Sequence, residues 1–134
     1  MLRVVFDTNT YLSALNFRGK TEKVYRAFLK RKFVLIASPQ ILREVAEKLR
    51  EIFDWDNQQI TRALKQIARR AEVVNPKISL HIIQDEPDNR ILGCAVEGKA
   101  NLIVSGDRHL KSLKSYEDIG IMGSVDFLRT LGEA

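Results

Sequence analysis

Cysteine is almost missing from this chain: Cys94 is the only one in 134 residues. No internal disulfide can form, which excludes a disulfide-stapled scaffold and predicts a reducing compartment. No apolar run approaches the roughly 20 residues needed to span a bilayer. Met1 leads straight into a strand-like segment, leaving no room for a signal peptide. The expectation is a cytoplasmic protein with no membrane partner. Aromatic residues amount to 7% and sit among apolar neighbours, which argues against a base-stacking platform.

What is present is ordinary in bulk, with 45% hydrophobic and 29% charged residues. That suits one globular domain over residues 1–134, long enough to bury a core without staples. Lys and Arg number 22 against 17 acids, a formal net charge of +5. The excess favours a polyanionic partner, most simply nucleic acid.

Apolar runs punctuated by turn chemistry set the order of elements. Val4-Val5-Phe6 is apolar at consecutive positions, so both faces of the strand are buried, as in a parallel sheet covered by helices. Tyr11 to Phe17 is a short helical or irregular stretch, and Thr21 to Lys32 has helical spacing through Val24, Tyr25, Phe28 and Leu29. Phe33 to Ala37 is a second buried strand. Ser38-Pro39 opens a helix running to about Phe53. Asp56 to Gln59 makes a capping box for the next helix, with Trp55 and Ile60 as its hydrophobic staple. Val73-Val74 reads as a minor strand, and Ile78 to Gln84 is open between strand and loop. Asp85 to Asp88 begins a helix that reaches about Gly98. Leu102-Ile103-Val104 is a third buried strand, Ile119 to Met122 a short one, and Ser124 caps a last helix. Strands alternate with helices throughout, so the fold class is α/β with a parallel sheet.

Two apolar strands end in acids: Asp7 after Phe6, and Asp107 after Val104-Ser105-Gly106. In a parallel sheet such ends lie on one edge, the edge where ligands bind. Asp88 at a helix start and Glu44 in the second turn of the helix after Ala37 belong near the same edge. Four carboxylates together repel one another unless they share protons or hold a cation. Oxygen ligands without cysteine, and with no histidine nearby except His109, suit Mg²⁺ or Mn²⁺ rather than zinc. The matching chemistry is phosphodiester hydrolysis, in which the cation activates water and stabilises charge on phosphorus. Each acid also has a plain structural reading. Asp88 suits any helix start, Glu44 pairs with Lys48 at i,i+4, Asp107 caps a helix and Asp7 closes an Asx-turn. Thr8, Asn9 and Ser105 have two readings of equal weight: they orient the carboxylates or metal-bound water, or they simply make the turns after the strands. Arg108, His109 and Lys111 follow Asp107 and are candidates to meet a phosphate backbone, although Arg108 and His109 read first as exposed loop residues. A further basic stripe, Arg62, Lys65 and Arg69, reads first as the wet face of a helix. Cys94 and His81 read as structural.

Val-Val-Phe-Asp-Thr-Asn at the start, Glu44 on its capped helix, Asp88-Asn89-Arg90-Ile91-Leu92 and Ile-Val-Ser-Gly-Asp-Arg-His-Leu together resemble the PIN-domain ribonucleases. The likeness is strongest to the toxins of VapC-like toxin–antitoxin systems and spans nearly the whole chain. It implies a three-layer α/β/α, Rossmann-like sheet of about five parallel strands. It also implies Mg²⁺- or Mn²⁺-dependent cleavage of RNA by the quartet Asp7, Glu44, Asp88 and Asp107, with Ser105 near the metal. A homodimer and a cognate antitoxin protein complete what the resemblance implies. His109 stands where some members of the family carry a further acid, and Asp85 is a candidate additional ligand that reads first as loop. Two other readings compete: a haloacid-dehalogenase-like phosphatase with Asp7 as nucleophile, and a non-catalytic PIN domain that binds RNA or a partner. The phosphatase reading lacks that family's second Asp two residues on from the first, since position 9 is Asn.

Overall fold

Six strands form one sheet in the computed structural model, which describes residues 1–77 and 86–132. They are β1 (Arg3–Phe6), β2 (Val34–Ala37), β3 (Glu72–Val73), β4 (Leu102–Val104), β5 (Ser115–Tyr116) and β6 (Ile119–Met122). The order across the sheet is β3-β2-β1-β4-β6-β5. All neighbours run parallel except β5, which pairs antiparallel with β6 at one edge. Val5 stands in register with Ile36 on one side and Ile103 on the other. Val4, Val5 and Phe6 are fully buried although they alternate in direction, so helices cover both faces of the centre.

Seven helices connect these strands among the described residues. α1 (Thr8–Asn16) and α2 (Lys20–Leu29) lead from β1 to β2, and α3 (Pro39–Glu51) and α4 (Asn57–Arg70) from β2 to β3. α5 (Glu86–Glu97) precedes β4, α6 (Arg108–Ser112) follows it, and α7 (Ser124–Leu131) comes last. Chain order therefore runs outward from β1 through β2 to β3, then returns to β4 on the other side of β1. The sheet reverses between β1 and β4, and at such a switch point a crevice opens beyond the carboxyl ends of the strands.

Local chemistry sets the helix starts. Ser38 accepts a hydrogen bond from Ile41 N at 3.2 Å, with Pro39 in the first turn of α3. Asp56 and Gln59 close a reciprocal capping box at the start of α4, with bonds of 2.8 and 2.9 Å. Ser124 does not cap α7 as expected: Gly123 holds that place, and no side chain bonds there. The register of β6 against β4 runs to Met122, so Gly123 alone makes the turn and Ser124 falls inside the helix. The minor strand sits one residue earlier than expected, at Glu72–Val73, where Glu72 pairs with Arg3 of the central strand. The segment Ile78 to Gln84, with His81, and the candidate ligand Asp85 lie outside the described residues. No described helix is long and apolar enough to cross a membrane.

Gly98, just beyond α5, is a packing requirement. A Cβ there would meet Ile36 Cγ2 at 2.5 Å, a branched atom on a central strand with little room to retreat. Gly98→Ala is expected to cost about 1–3 kcal/mol, the usual range for overpacking a core. Chemical denaturation would read this as a lower midpoint at unchanged slope, and an unshifted midpoint would show that β2 yields at Ile36.

Candidate functional site

β1 ends at Phe6, and the next residue starts a helix. Asp7 is the N-cap of α1: its Oδ1 accepts the Thr10 amide at 2.8 Å and the Thr10 hydroxyl at 2.5 Å. Its Oδ2 accepts from the Ser105 hydroxyl at 2.5 Å. Ser105, fully buried, lies just past β4, and its Oγ also accepts the Asp107 amide at 2.9 Å. One serine hydroxyl thus ties the ends of the two central strands and fixes two of the acids relative to each other. Asp107 in turn caps α6, its Oδ1 accepting from the amides of His109 and Leu110 at 2.8 and 3.1 Å.

These two acids share a polar cleft of about 180 Å³ with Glu44 and Asp88. Glu44 comes from the second turn of α3, half-buried, and Asp88 from the first turn of α5, buried. Four separate segments therefore deliver four carboxylates to the switch point of the sheet. Thr8 and Asn9 line the same cleft, as does Lys48, one turn beyond Glu44. Pro87 and Ile91 supply its apolar wall.

Burial pushes the Asp7 carboxyl above its ordinary value, because desolvation penalises the charged form. The hydrogen bonds from Ser105 and Thr10 pull in the opposite direction, and the nearby charge of Asp107 adds to the rise. An ionised Asp7 is consequently held at a cost that a nearby cation would offset. As placed, no three His, Cys, Asp or Glu side chains among the described residues form a ligand cluster. The acids line one cleft without forming a single coordination shell. By donor type they suit a hard, oxygen-preferring dication, since neither imidazole nor thiol is among the described residues that line the cleft.

Arg108, His109 and Lys111 are exposed on α6 and do not line the cleft. They stand beside it through Asp107 rather than in it. Two residues of the site lay outside the sequence reading's candidates. Thr10 supplies two of the three hydrogen bonds to the Asp7 carboxylate, and its signal is an Asp with Thr three residues on, the spacing of a helix N-cap and its third helical position. Lys48, read from the sequence as a surface partner of Glu44, is the cation among the described residues that line the cleft.

Comparison with known proteins agrees with this architecture. The PIN domain family model matches residues 3–109. The chain is 34% identical over 119 residues to the uncharacterized protein MJ1680 of Methanocaldococcus jannaschii, covering 84% of this chain and 76% of that one. It is similar in fold to a chain in the crystal structure of VapBC2 from Rickettsia felis bound to a DNA fragment from their promoter. The TM-score is 0.61 at 15% identity, over 90% of this chain and 97% of the other.

Proposed function

The chain belongs to the PIN domain family, and from that premise we propose that it is a metal-dependent endoribonuclease, the toxin of a toxin–antitoxin pair. The observation that carries this reading is the meeting of Asp7, Glu44, Asp88 and Asp107 in one cleft at the switch point. In this reading those four hold Mg²⁺ or Mn²⁺, which when bound activates water and offsets charge on the phosphate. Ser105 and Thr10 keep Asp7 aimed and lower the cost of ionising it. Thr8 and Asn9 line the same cleft beside the four acids. Lys48 meets substrate phosphate from α3, and Arg108, His109 and Lys111 meet it from α6.

A cognate antitoxin, a homodimer and a cytoplasmic setting belong to the same proposal. The fold neighbour, a VapBC2 assembly on promoter DNA, supports the partner, and the +5 net charge supports an RNA substrate. A phosphatase using Asp7 as nucleophile is disfavoured, because both Asp7 oxygens are engaged by buried donors.

The test is cleavage of a structured RNA by the purified protein. We expect endonucleolytic products with Mn²⁺, none in excess chelator, and recovery when Mn²⁺ is restored. Cleavage that persists unchanged in chelator would overturn the metal-dependent reading.

A further inference from the structure

A second concavity lies along α4, an open groove of about 640 Å³ that shares no lining residue with the acid cleft. Arg62, Lys65 and Arg69 recur at i, i+3 and i+7 and so occupy one face of the helix. All three are exposed, Arg70 adds a fourth cation, and no acid is among the described residues lining the groove. The helix face is more than a solvated stripe, because its cations border a concavity that has an aromatic side.

That aromatic side is Trp55, half-buried in the wall of the groove. Its Nε1 donates to Asn16 Oδ1 at 2.9 Å, which fixes the plane of the ring. Cations that track a phosphate backbone, combined with an aromatic face for a base, are the recurring arrangement of single-strand binding sites. An acidic polypeptide would use the cations but gain little from the ring. Helix α1 borders both the groove and the acid cleft. Asn9 lines the cleft and Leu15 the groove, six residues apart on α1, or about 9 Å of helical rise.

We propose that this groove is the track for single-stranded RNA flanking the bond to be cut, with Trp55 stacking one base. The proposal rests on the ribonuclease reading, and its test separates the two. Trp55 is the only tryptophan in the chain, so intrinsic fluorescence reports on the groove alone. In chelator, with cleavage suppressed, an oligouridylate of about twelve nucleotides should quench that fluorescence. Anisotropy of a labelled copy should give the affinity. The triple variant Arg62→Gln/Lys65→Gln/Arg69→Gln, whose altered positions are all exposed, should keep the wild-type melting temperature. It should bind at least about tenfold more weakly at low salt, with a salt slope shallower by about 2, as expected for three lost contacts to a single strand. Trp55→Leu should weaken binding about tenfold. In cleavage assays the triple variant should raise KM for long RNA and leave kcat unchanged.

Asp7→Asn should leave the binding within about twofold. If that variant still cuts RNA, the nuclease reading fails while the groove stands or falls on the titration. Equal affinity of wild type and triple variant overturns the groove. So does quenching of Trp55 by poly-glutamate at lower concentration than by RNA, which would make an acidic protein segment the occupant.

Discussion

Asp7→Asn is expected to abolish RNA cleavage and, at neutral pH without divalent ions, to raise the melting temperature. The activity loss should be on the order of 10²- to 10³-fold, the scale on which removing one centrally placed electrostatic group acts. The gain in stability follows from the same burial. Asp7 is 5% exposed and its carboxyl is raised above its ordinary value chiefly by desolvation. Asn is as good an N-cap as Asp, so the start of α1 survives, and the buried charge is gone.

The sign with pH is definite. With its folded value raised, Asp7 holds its proton in the folded chain over a window where the unfolded chain has lost it. Stability from this group therefore falls as pH rises from its ordinary value towards the raised one. Below the window both states are protonated and the penalty vanishes. The melting-temperature difference between variant and wild type should be smallest near pH 3.5, widen as pH rises, and then level off. Comparing the two proteins cancels the opposite contribution of Glu72, whose carboxyl is lowered by Arg3. Mn²⁺ should narrow the gap by stabilising the wild type alone, because a ligand stabilises only the state that binds it. A variant less stable than wild type in chelator at pH 7 would show that Asp7 is not held at a cost.

This double role of Asp7, as strand-end acid and helix N-cap, also marks where the sequence could and could not be read. The apolar run Val4 to Phe6 dictates a strand buried on both faces, and parallel topology then carries Asp7 and Asp107 to one edge. The helix starts before Glu44 and Asp88 follow from Ser38-Pro39 and from Pro87, so the common cleft was legible without coordinates. The start of α1 was not. Thr8, Asn9 and Thr10 are weak helix formers, and the helix begins there because Asp7 satisfies an amide that propensity does not count. β5 was missed for a related reason. Glu117 and Asp118 both take positive φ, 47° and 66°, in the two-residue turn to β6. A hairpin of that kind is usually announced by Asn-Gly. Trp55 read as one half of a hydrophobic staple, and that the same ring also lines a groove with four cations depends on how α4 packs, which no local pattern encodes.

Ser105→Ala should lower kcat/KM about 10- to 100-fold, the usual cost of losing a group that orients a metal-holding carboxylate. The serine is fully buried, donates to Asp7 Oδ2 and accepts from the Asp107 amide. Alanine leaves the buried Asp7 Oδ2 and the half-buried Asp107 amide each short of a partner, a destabilisation of about 1–3 kcal/mol. A structural cost alone would not move the pH profile, and this substitution should. The hydrogen bond from Ser105 is the largest of the influences that lower the Asp7 carboxyl, so its loss raises that group further. If activity requires Asp7 ionised, the acidic limb of the kcat/KM profile must shift to higher pH in the variant at fixed Mn²⁺. Stability supplies an independent check, because the two side chains touch and their effects should not add. Ser105→Ala should cost less in an Asp7→Asn background, where no charge waits for the missing donor. Additive melting temperatures together with an unmoved acidic limb would reduce Ser105 to a packing residue. A shifted limb with coupled stabilities would make it the link through which the end of β4 sets the charge at the end of β1.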